Sequence, residues 1–528
     1  MEIPSEWLWI VIVSFIVSFV LAFGIGANDV ANSFGTSVGA KVLTLVQACI
    51  LGTIFEIAGA VLIGYKVSDT IRKGIIDVRP YNGTEDLLLL GNLSALSGSC
   101  LWLMIATFLR LPVSATHSIV GATVGFSLVA KGADGVGWVK LGMIVASWFI
   151  SPLASGIITT LLFMFVRKLI LDKENQLKRG LILLPFFYGI TICINAFSIF
   201  HDGSTLLHFN KIPLYGVFVL SIGLGVLTAV VVRLFVVPWQ RKKIKNEVLA
   251  IKQEEGEGEG GEKKSLASGL DIEIVVPDPV EKLQAEGEAS TKGHKLPAVD
   301  VINGNATNGS AGYAKATDTA KVFTDPEGRE TLLGEKELDE KDDKKVEMDM
   351  QKGRDEIEDK PETKQLFSFL QILTAIFGSF AHGGNDVSNA IAPLVAVWMI
   401  AHEQSVAQKA PTPIWVLFYG GVGISVGLCV WGRRVIKTMG EDLSKITPSS
   451  GFCIEIGAAI TVLVASKLGI PISTTHCKVG SIVTVGRVRS RSNVDWSLFR
   501  NIFIAWIVTL PASGAFSAVL MAIFKYAL

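Results

Sequence analysis

Charge is missing from long stretches of this 528-residue chain. Residues 7–27 contain no Asp, Glu, Lys or Arg, and comparable apolar runs cover about 44–64, 87–109, 138–166, 181–200 and 213–237. Each meets or approaches the roughly 20 residues that cross a bilayer, which excludes a soluble globular domain. A basic start is also missing. The opening "MEIPSE" lacks the positive segment of a removable leader, so the first run is expected to remain as a span. Cysteine is sparse: Cys49, Cys100, Cys193, Cys429, Cys453 and Cys477 lie in or beside apolar runs without metal-ligand spacing. That pattern excludes a disulfide framework and fits small membrane-embedded side chains. Charge of one sign has no excess either, since Lys plus Arg and Asp plus Glu each number 48, and no nucleic-acid partner is expected.

The zero balance hides two populations. From about 239 to 365 the text reads "QRKKIKNEVLAIKQEEGEGEGGEKK" and later "KELDEKDDKKVEMDMQKGRDEIEDK", charged and nearly free of aromatics. Such a tract buries too little apolar surface to offset its ordering entropy, and it is expected to be a disordered loop. Apolar runs resume at about 367–401, 415–431, 451–469, 471–486 and 499–528. The organisation expected is a first membrane half over 1–238, a charged cytoplasmic loop over 239–365, and a second membrane half over 366–528. Basic loops mark the cytoplasmic side. With an external N-terminus, "RKLILDKENQLKRG", "QRKKIK", "GRRVIK" and "GRVRSR" all fall inside, whereas the basic loop 65–86 argues against that assignment. The same loop holds Asn82-Gly83-Thr84, a glycosylation acceptor pattern usable only outside. Asn305-Ala306-Thr307 and Asn308-Gly309-Ser310 match too, but fall in the tract assigned to the cytosol.

Three blocks occur twice and in the same order. "GANDVAN" (26–32) returns as "GGNDVSN" (383–389). "RLPVSATHSIVGATVG" returns as "GIPISTTHCKVGSIVTVG", aligning Pro112, Ser114, Thr116 and His117 with Pro471, Ser473, Thr475 and His476. "SWFISPLASG" and "AWIVTLPASG" align Trp148 with Trp506. The separation from Asp29 to Ser114 is 85 positions and that from Asp386 to Ser473 is 87, so chance is not a serious explanation. The first repeat occupies about 7–166 and two further spans follow it, giving roughly seven spans before the loop. An odd number turns the second copy over, which makes the repeats inverted. Inverted repeats are an architecture of secondary transporters, with substrate near the midplane. Gly24, Gly26, Gly35 and Gly39, and Gly378, Gly383, Gly384 and Pro393, are expected to weaken helices where backbone opens toward a cavity. Pro followed by a hydroxyl cluster reads as a helix N-terminus able to receive an anion.

Each candidate has an ordinary alternative. Asp29 and Asp386 are expected to bind cargo, against a helix-capping role. Asn28, Asn32, Asn385 and Asn389 can offer carbonyl oxygens to a cation or amide donors to an anion, against helix-to-helix gluing. Ser114, Thr116, Ser473, Thr474 and Thr475 are candidate anion ligands, against back-bonding to helix carbonyls. His117 and His476 read as orienting or packing groups. Glu56 and Glu455 lie inside apolar runs without aligning between the copies, and they are expected to be coupling-ion ligands.

On these residues the sequence resembles the inorganic phosphate transporter (PiT) family, in particular animal sodium-dependent phosphate transporters that also serve as retroviral receptors. "GANDVANSFGTSVG", "QACILGTIFE", "TIRKGIIDV", "FLRLPVSATHSIVG", "VASWFISPL" and "GGNDVSNAIAPL" carry the likeness. It implies an all-α polytopic protein of about twelve transmembrane segments with two inverted repeats and re-entrant helical hairpins. It further implies a homodimer in the plasma membrane with both termini outside, and symport of inorganic phosphate with sodium without any cofactor. Phosphate-binding residues then map to Asp29, Ser114, Thr116, Asp386, Ser473, Thr474 and Thr475, and sodium-binding or coupling residues to Asn28, Asn32, Asn385, Asn389, Glu56 and Glu455. Ala115 departs from the pattern, where relatives often have Gly. A viral envelope protein as a further partner rests on the likeness alone. A channel built from half-helix repeats and an intramembrane aspartyl protease are the competing classes. The protease would leave the duplicated Asn and hydroxyl clusters unexplained.

Overall fold

The computed structural model describes residues 3–29, 31–201, 208–256, 322–324, 330–332, 357–437, 442–490 and 493–527. The chain divides into two compact units, Met1–Gly260 with Met350–Leu528, and Gly261–Asp349. Within the second unit, Val322–Thr324 pairs antiparallel with Glu330–Leu332, with Val322 opposite Leu332. The other residues of that unit, Asn305 and Asn308 among them, lie outside the described residues.

The first unit is built of helices joined by short connections. Its first part comprises α1 (Ser5–Asp29), α2 (Ala31–Gly39), α3 (Leu45–Ile63), α4 (Tyr65–Gly74), α5 (Glu85–Phe108), α6 (Ala115–Lys131) and α7 (Trp138–Val166). Then come α8 (Gln176–Phe200), α9 (Leu214–Val231) and α10 (Val237–Gly256). The last part comprises α11 (Pro361–Glu403), α12 (Ile414–Trp431), α13 (Arg433–Lys437), α14 (Pro448–Lys467), α15 (Thr474–Arg489) and α16 (Trp496–Ala527). Among the described residues ten helices are long and apolar enough to cross a membrane, and the chain is a multi-pass membrane protein. The expected run 471–486 is not one of them. It begins with non-helical residues and continues as α15, whose 16 residues at about 1.5 Å each fall short of the bilayer core. Its counterpart α6 has 17 residues. The about twelve transmembrane segments expected thus stand beside ten long helices among the described residues and these two half-length ones.

The loop boundaries also differ from expectation. Helix continues from Val237 to Gly256, through residues assigned to the disordered tract. Lys, Glu, Gln and Ala are good helix formers, and Lys243 stands 3.6 Å from Glu247 one turn on. On the far side α11 starts at Pro361, a residue suited to the first helical position. Just before it, Asp359 pairs with Arg489 at 2.8 Å and accepts from Ser449.

The single helix α11 stands where the first part has α1 and α2, α12 to α16 follow in the order of α3 to α7, and the packing is reciprocal. Helix α3 lies on α11 while α12 lies on α1, and α6 lies on α16 while α15 lies on α7. Glycine permits this closeness. A Cβ on Gly26 would fall 1.8 Å from the Ile424 carbonyl oxygen, and one on Gly383 would fall 2.2 Å from that of Glu56. This corrects the expectation that the glycines open the helix in the second copy: α11 runs unbroken through Gly378, Gly383, Gly384 and Pro393. The missing side chains let backbones touch, as small residues do between membrane helices.

Gly26→Ala and Gly383→Ala are therefore each expected to destabilise the protein by about 3 kcal/mol or more, because backbone cannot yield as a side chain can. Gly223→Ala, where a Cβ meets nothing within 4 Å, is the control. Thermal unfolding of the purified protein in detergent measures all three, and equal midpoints would refute the close-packing account.

Candidate substrate and ion site

The short helices begin alike. Ser114 and Ser473 take extended N-cap conformations (φ −96°, ψ 120° and φ −84°, ψ 113°). Their hydroxyls accept from the amides of His117 (3.3 Å) and His476 (3.1 Å), so the expected N-terminal caps are present. The next hydroxyls cross between the copies. Thr116 donates to the Ile472 carbonyl (3.1 Å) and Thr475 to that of Val113 (3.2 Å). Asn32 donates to Thr475 (2.9 Å), and Asn389 to Thr116 (3.2 Å). Behind them His117 lies on Trp148 and His476 on Trp506, each with centroids 3.7 Å apart, and the two imidazoles meet edge-on at 4.3 Å. That is the packing role expected of both.

Asn28 and Asn385 hold the chain leading into each short helix. Asn28 donates to Thr107 (3.0 Å) and the Leu111 carbonyl (2.9 Å), and accepts from the Val113 amide (3.1 Å). Asn385 donates to the Ile472 carbonyl (3.0 Å) and accepts from Ser466 (3.3 Å). Both amides are occupied by protein partners, which is a positioning arrangement.

Four buried carboxylates face this region. Asp29 accepts from Thr475 (3.0 Å), sharing its single proton with the Val113 carbonyl, and from the Ala115 amide (3.3 Å). Asp386 accepts from Asn389 (2.8 Å), and its other oxygen lies 3.2 Å from Nε2 of His382. Nδ1 of the same ring is 2.7 Å from Glu56, which also accepts from Ser379 (2.9 Å). Ligand atoms of Asp29, His382 and Asp386 all lie within 4.8 Å of one another. Oxygens so close fit a shared cation, with metal–oxygen distances of about 2.4 Å, better than an intervening phosphate. Glu455 stands apart, accepting from Thr36 and Ser37 (2.6 Å each), from Gln371 (3.4 Å) and from Thr374. The Gln371 Oε1 is buried without a hydrogen-bond partner. Hydroxyl oxygens from α2 and α11 thus surround the Glu455 carboxylate, and oxygen donors of this kind suit a hard cation.

A cavity of about 20 Å³ lies between His382 and Glu455, lined also by Asn32, Thr474 and Lys478. It holds about one water-sized species, far less than a phosphate ion. His382 and Lys478 were not singled out from the sequence. The signal was a mismatch: they stand where the first copy has Ile25 and Ile119, and a search for repeated residues passes over such positions. Lys478 places a buried cation within the second copy of the hydroxyl block. Asn82 is remote from all of this, exposed just after the turn Arg79–Tyr81.

The phosphate transporter family matches residues 25–517. Sodium-dependent phosphate transporter 1-B of Danio rerio is 45% identical, over 99% of this chain and 96% of its own length. Sodium-dependent phosphate transporter 1 of Homo sapiens is 43% identical over the same shares, 99% and 96%. A solved structure titled "The sodium-dependent phosphate transporter" covers 99% of this chain and 100% of its own, with TM-score 0.72 and 31% identity.

His382 joins Glu56 to Asp386, so His382→Phe is expected to leave two buried carboxylates without their shared partner. A loss of about 3 kcal/mol in stability is anticipated, measured by thermal unfolding, together with loss of solute flux in reconstituted vesicles. Unchanged unfolding would show that the ring does not hold the carboxylates.

Proposed function

Because this chain belongs to the phosphate transporter family, we propose that it is a sodium-coupled symporter of inorganic phosphate and not an enzyme. The relatives carry sodium dependence and phosphate in their names. The observation that carries the reading onto residues is the crossing of Thr116 and Thr475 between two helix starts beside Asp29 and Asp386. Hydroxyls and free amides at the starts of α6 and α15 suit a phosphate anion. The oxygens of Asp29, Asp386, Glu56 and Glu455, with the hydroxyls around them, suit sodium, which acts here as cargo.

Coupling follows from charge. Carboxylates repel phosphate until cations offset them, so each cargo raises the affinity for the other. Phosphate near neutral pH keeps a proton and can donate it in a hydrogen bond to an aspartate. Sulfate has none, and the same aspartate opposes it. The narrow central cavity supports a further element of the reading, alternating access: this conformation is closed to phosphate, and movement of one group of packed helices against another would open it. An external N- and C-terminus, location in the plasma membrane and use of Asn82 as a glycan acceptor rest on the loop charges and the family likeness. Homodimer assembly and recognition by a viral envelope protein rest on the likeness alone.

Radiolabelled phosphate accumulation with sodium replaced by choline tests the coupling. Accumulation is expected to disappear without sodium, and purely passive flux would instead favour a channel. Asp29→Asn and Asp386→Asn are each expected to lower sodium-driven uptake by on the order of tenfold or more at unchanged surface expression. Normal uptake by both variants removes the aspartates from the mechanism.

A further inference from the structure

Away from the buried carboxylates, a second cavity of about 240 Å³ opens between the end of α2, helix α10 and the first turns of α11. Its polar side is basic. Lys41, Lys243 and Lys364 line it, and no acidic residue does. Lys41 and Lys364 make no ion pair among the described residues, and Lys243 has only the partly exposed Glu247. Gln240 also lines the cavity, is 1% exposed, and keeps its Oε1 without a hydrogen-bond partner. Lys41 adopts φ 58°, a left-handed conformation at the end of a helix where glycine is favoured, yet the position presents a lysine to the cavity.

The other wall is apolar, with Ile244 and Phe369. Trp239 packs on Phe369 (centroids 5.1 Å), and the Lys243 ammonium lies 5.6 Å from the centroid of the same indole. Immediately upstream, Val230, Leu234 and Phe235 are exposed as a bilayer-facing surface would be. The cavity thus lies where an apolar helix face ends at a tryptophan and a basic run begins. That sequence of surfaces marks a membrane boundary on the side of positive loops.

We propose that this cavity binds the headgroup of a phosphoinositide-type lipid. Three lysines call for more negative charge than one phosphodiester supplies, the orphan Gln240 oxygen calls for a hydroxyl donor, and the apolar wall calls for acyl chains. A multiply phosphorylated inositol on a diacyl lipid meets all three requirements. The location also connects it to the ion site. Lys41 closely follows Thr36 and Ser37, and Lys364 precedes Gln371 and Thr374 on α11; these four residues all hold Glu455. A headgroup bridging the two lysines ties together the segments that form that cluster.

The test is titration of the purified full-length protein with a short-chain phosphatidylinositol bisphosphate, phosphatidylserine, or soluble inositol trisphosphate, followed by native mass spectrometry. Saturable binding of the bisphosphate lipid is expected, with the other two weaker. Each of Lys41→Gln, Lys243→Gln and Lys364→Gln should weaken it roughly fivefold, and the triple variant on the order of 100-fold. Gln240→Leu should weaken it about tenfold, while Lys242→Gln, outside the cavity, should not change it. Soluble trisphosphate binding as tightly as the lipid would overturn the lipid assignment, and phosphatidylserine binding equally well would overturn the inositol. Lipid affinity unchanged in the single lysine variants would overturn the site itself, whether or not the triple variant folds.

Discussion

Inside a bilayer no water is at hand to satisfy a broken backbone, and two broken stretches run through the interior of this protein. Residues 109–114 and 468–473 leave the helix just before α6 and α15. Each turns through a left-handed residue at an equivalent place, Arg110 at φ 61° and Gly469 at φ 70°. Their carbonyls find partners across the molecule. Thr475 and Asn28 serve Val113 and Leu111, Thr116 and Asn385 serve Ile472, and Trp506 serves Pro112. Three of these donors come from the opposite repeat. Neither copy could keep its half-length helix in the membrane without the other, so the need to satisfy backbone polarity makes the site and the duplication one structure.

The scaffold repeats but its charges do not. Asp29 and Asp386 form a pair, as do the asparagines and hydroxyls. Glu56, His382, Glu455 and Lys478 each occur once. Four carboxylates converge on a region whose buried cations are one lysine and one imidazole. With the carboxyls ionised, negative charge is in excess even when His382 is protonated, and an added anion deepens the excess. A site with this balance favours phosphate only in company with cations, which is the thermodynamic content of symport.

Much of this was legible in the sequence because duplication is a comparison that a single chain makes with itself. The Asp, Asn and hydroxyl positions, and the capped helix starts after Pro112 and Pro471, followed from it. What it concealed is equally systematic. His382 and Lys478 answer to Ile25 and Ile119, so a method that rewards matching residues passes over the groups that make the site asymmetric. Glycine was misread for a different reason. Composition alone does not say whether a missing side chain loosens a helix or admits another backbone, and Gly383 against Glu56 is the second case. The continuation of α10 to Gly256 was hidden because charge reads as disorder while helix propensity is shared by the same Lys, Glu and Gln residues.

The two kinds of contact in the interior also differ in how readily they yield. Gly125 in α6 meets Gly514 in α16, and Gly480 in α15 meets Pro152 in α7, with backbone so close that even a Cβ would not fit. Such contacts move as units. The bonds across the site, Thr475 to Asp29, Asn32 to Thr475 and Asn389 to Thr116, are single hydrogen bonds with net contributions of about 1 kcal/mol each. On the proposed alternating access, the opening that admits phosphate therefore runs between the two short helices, and each moves with the long helix it packs against. The donors released are hydroxyls and amides, the groups proposed above to serve the phosphate ion. Cargo and closure compete for the same groups, so on that reading the bonds lost on opening are replaced by bonds to phosphate.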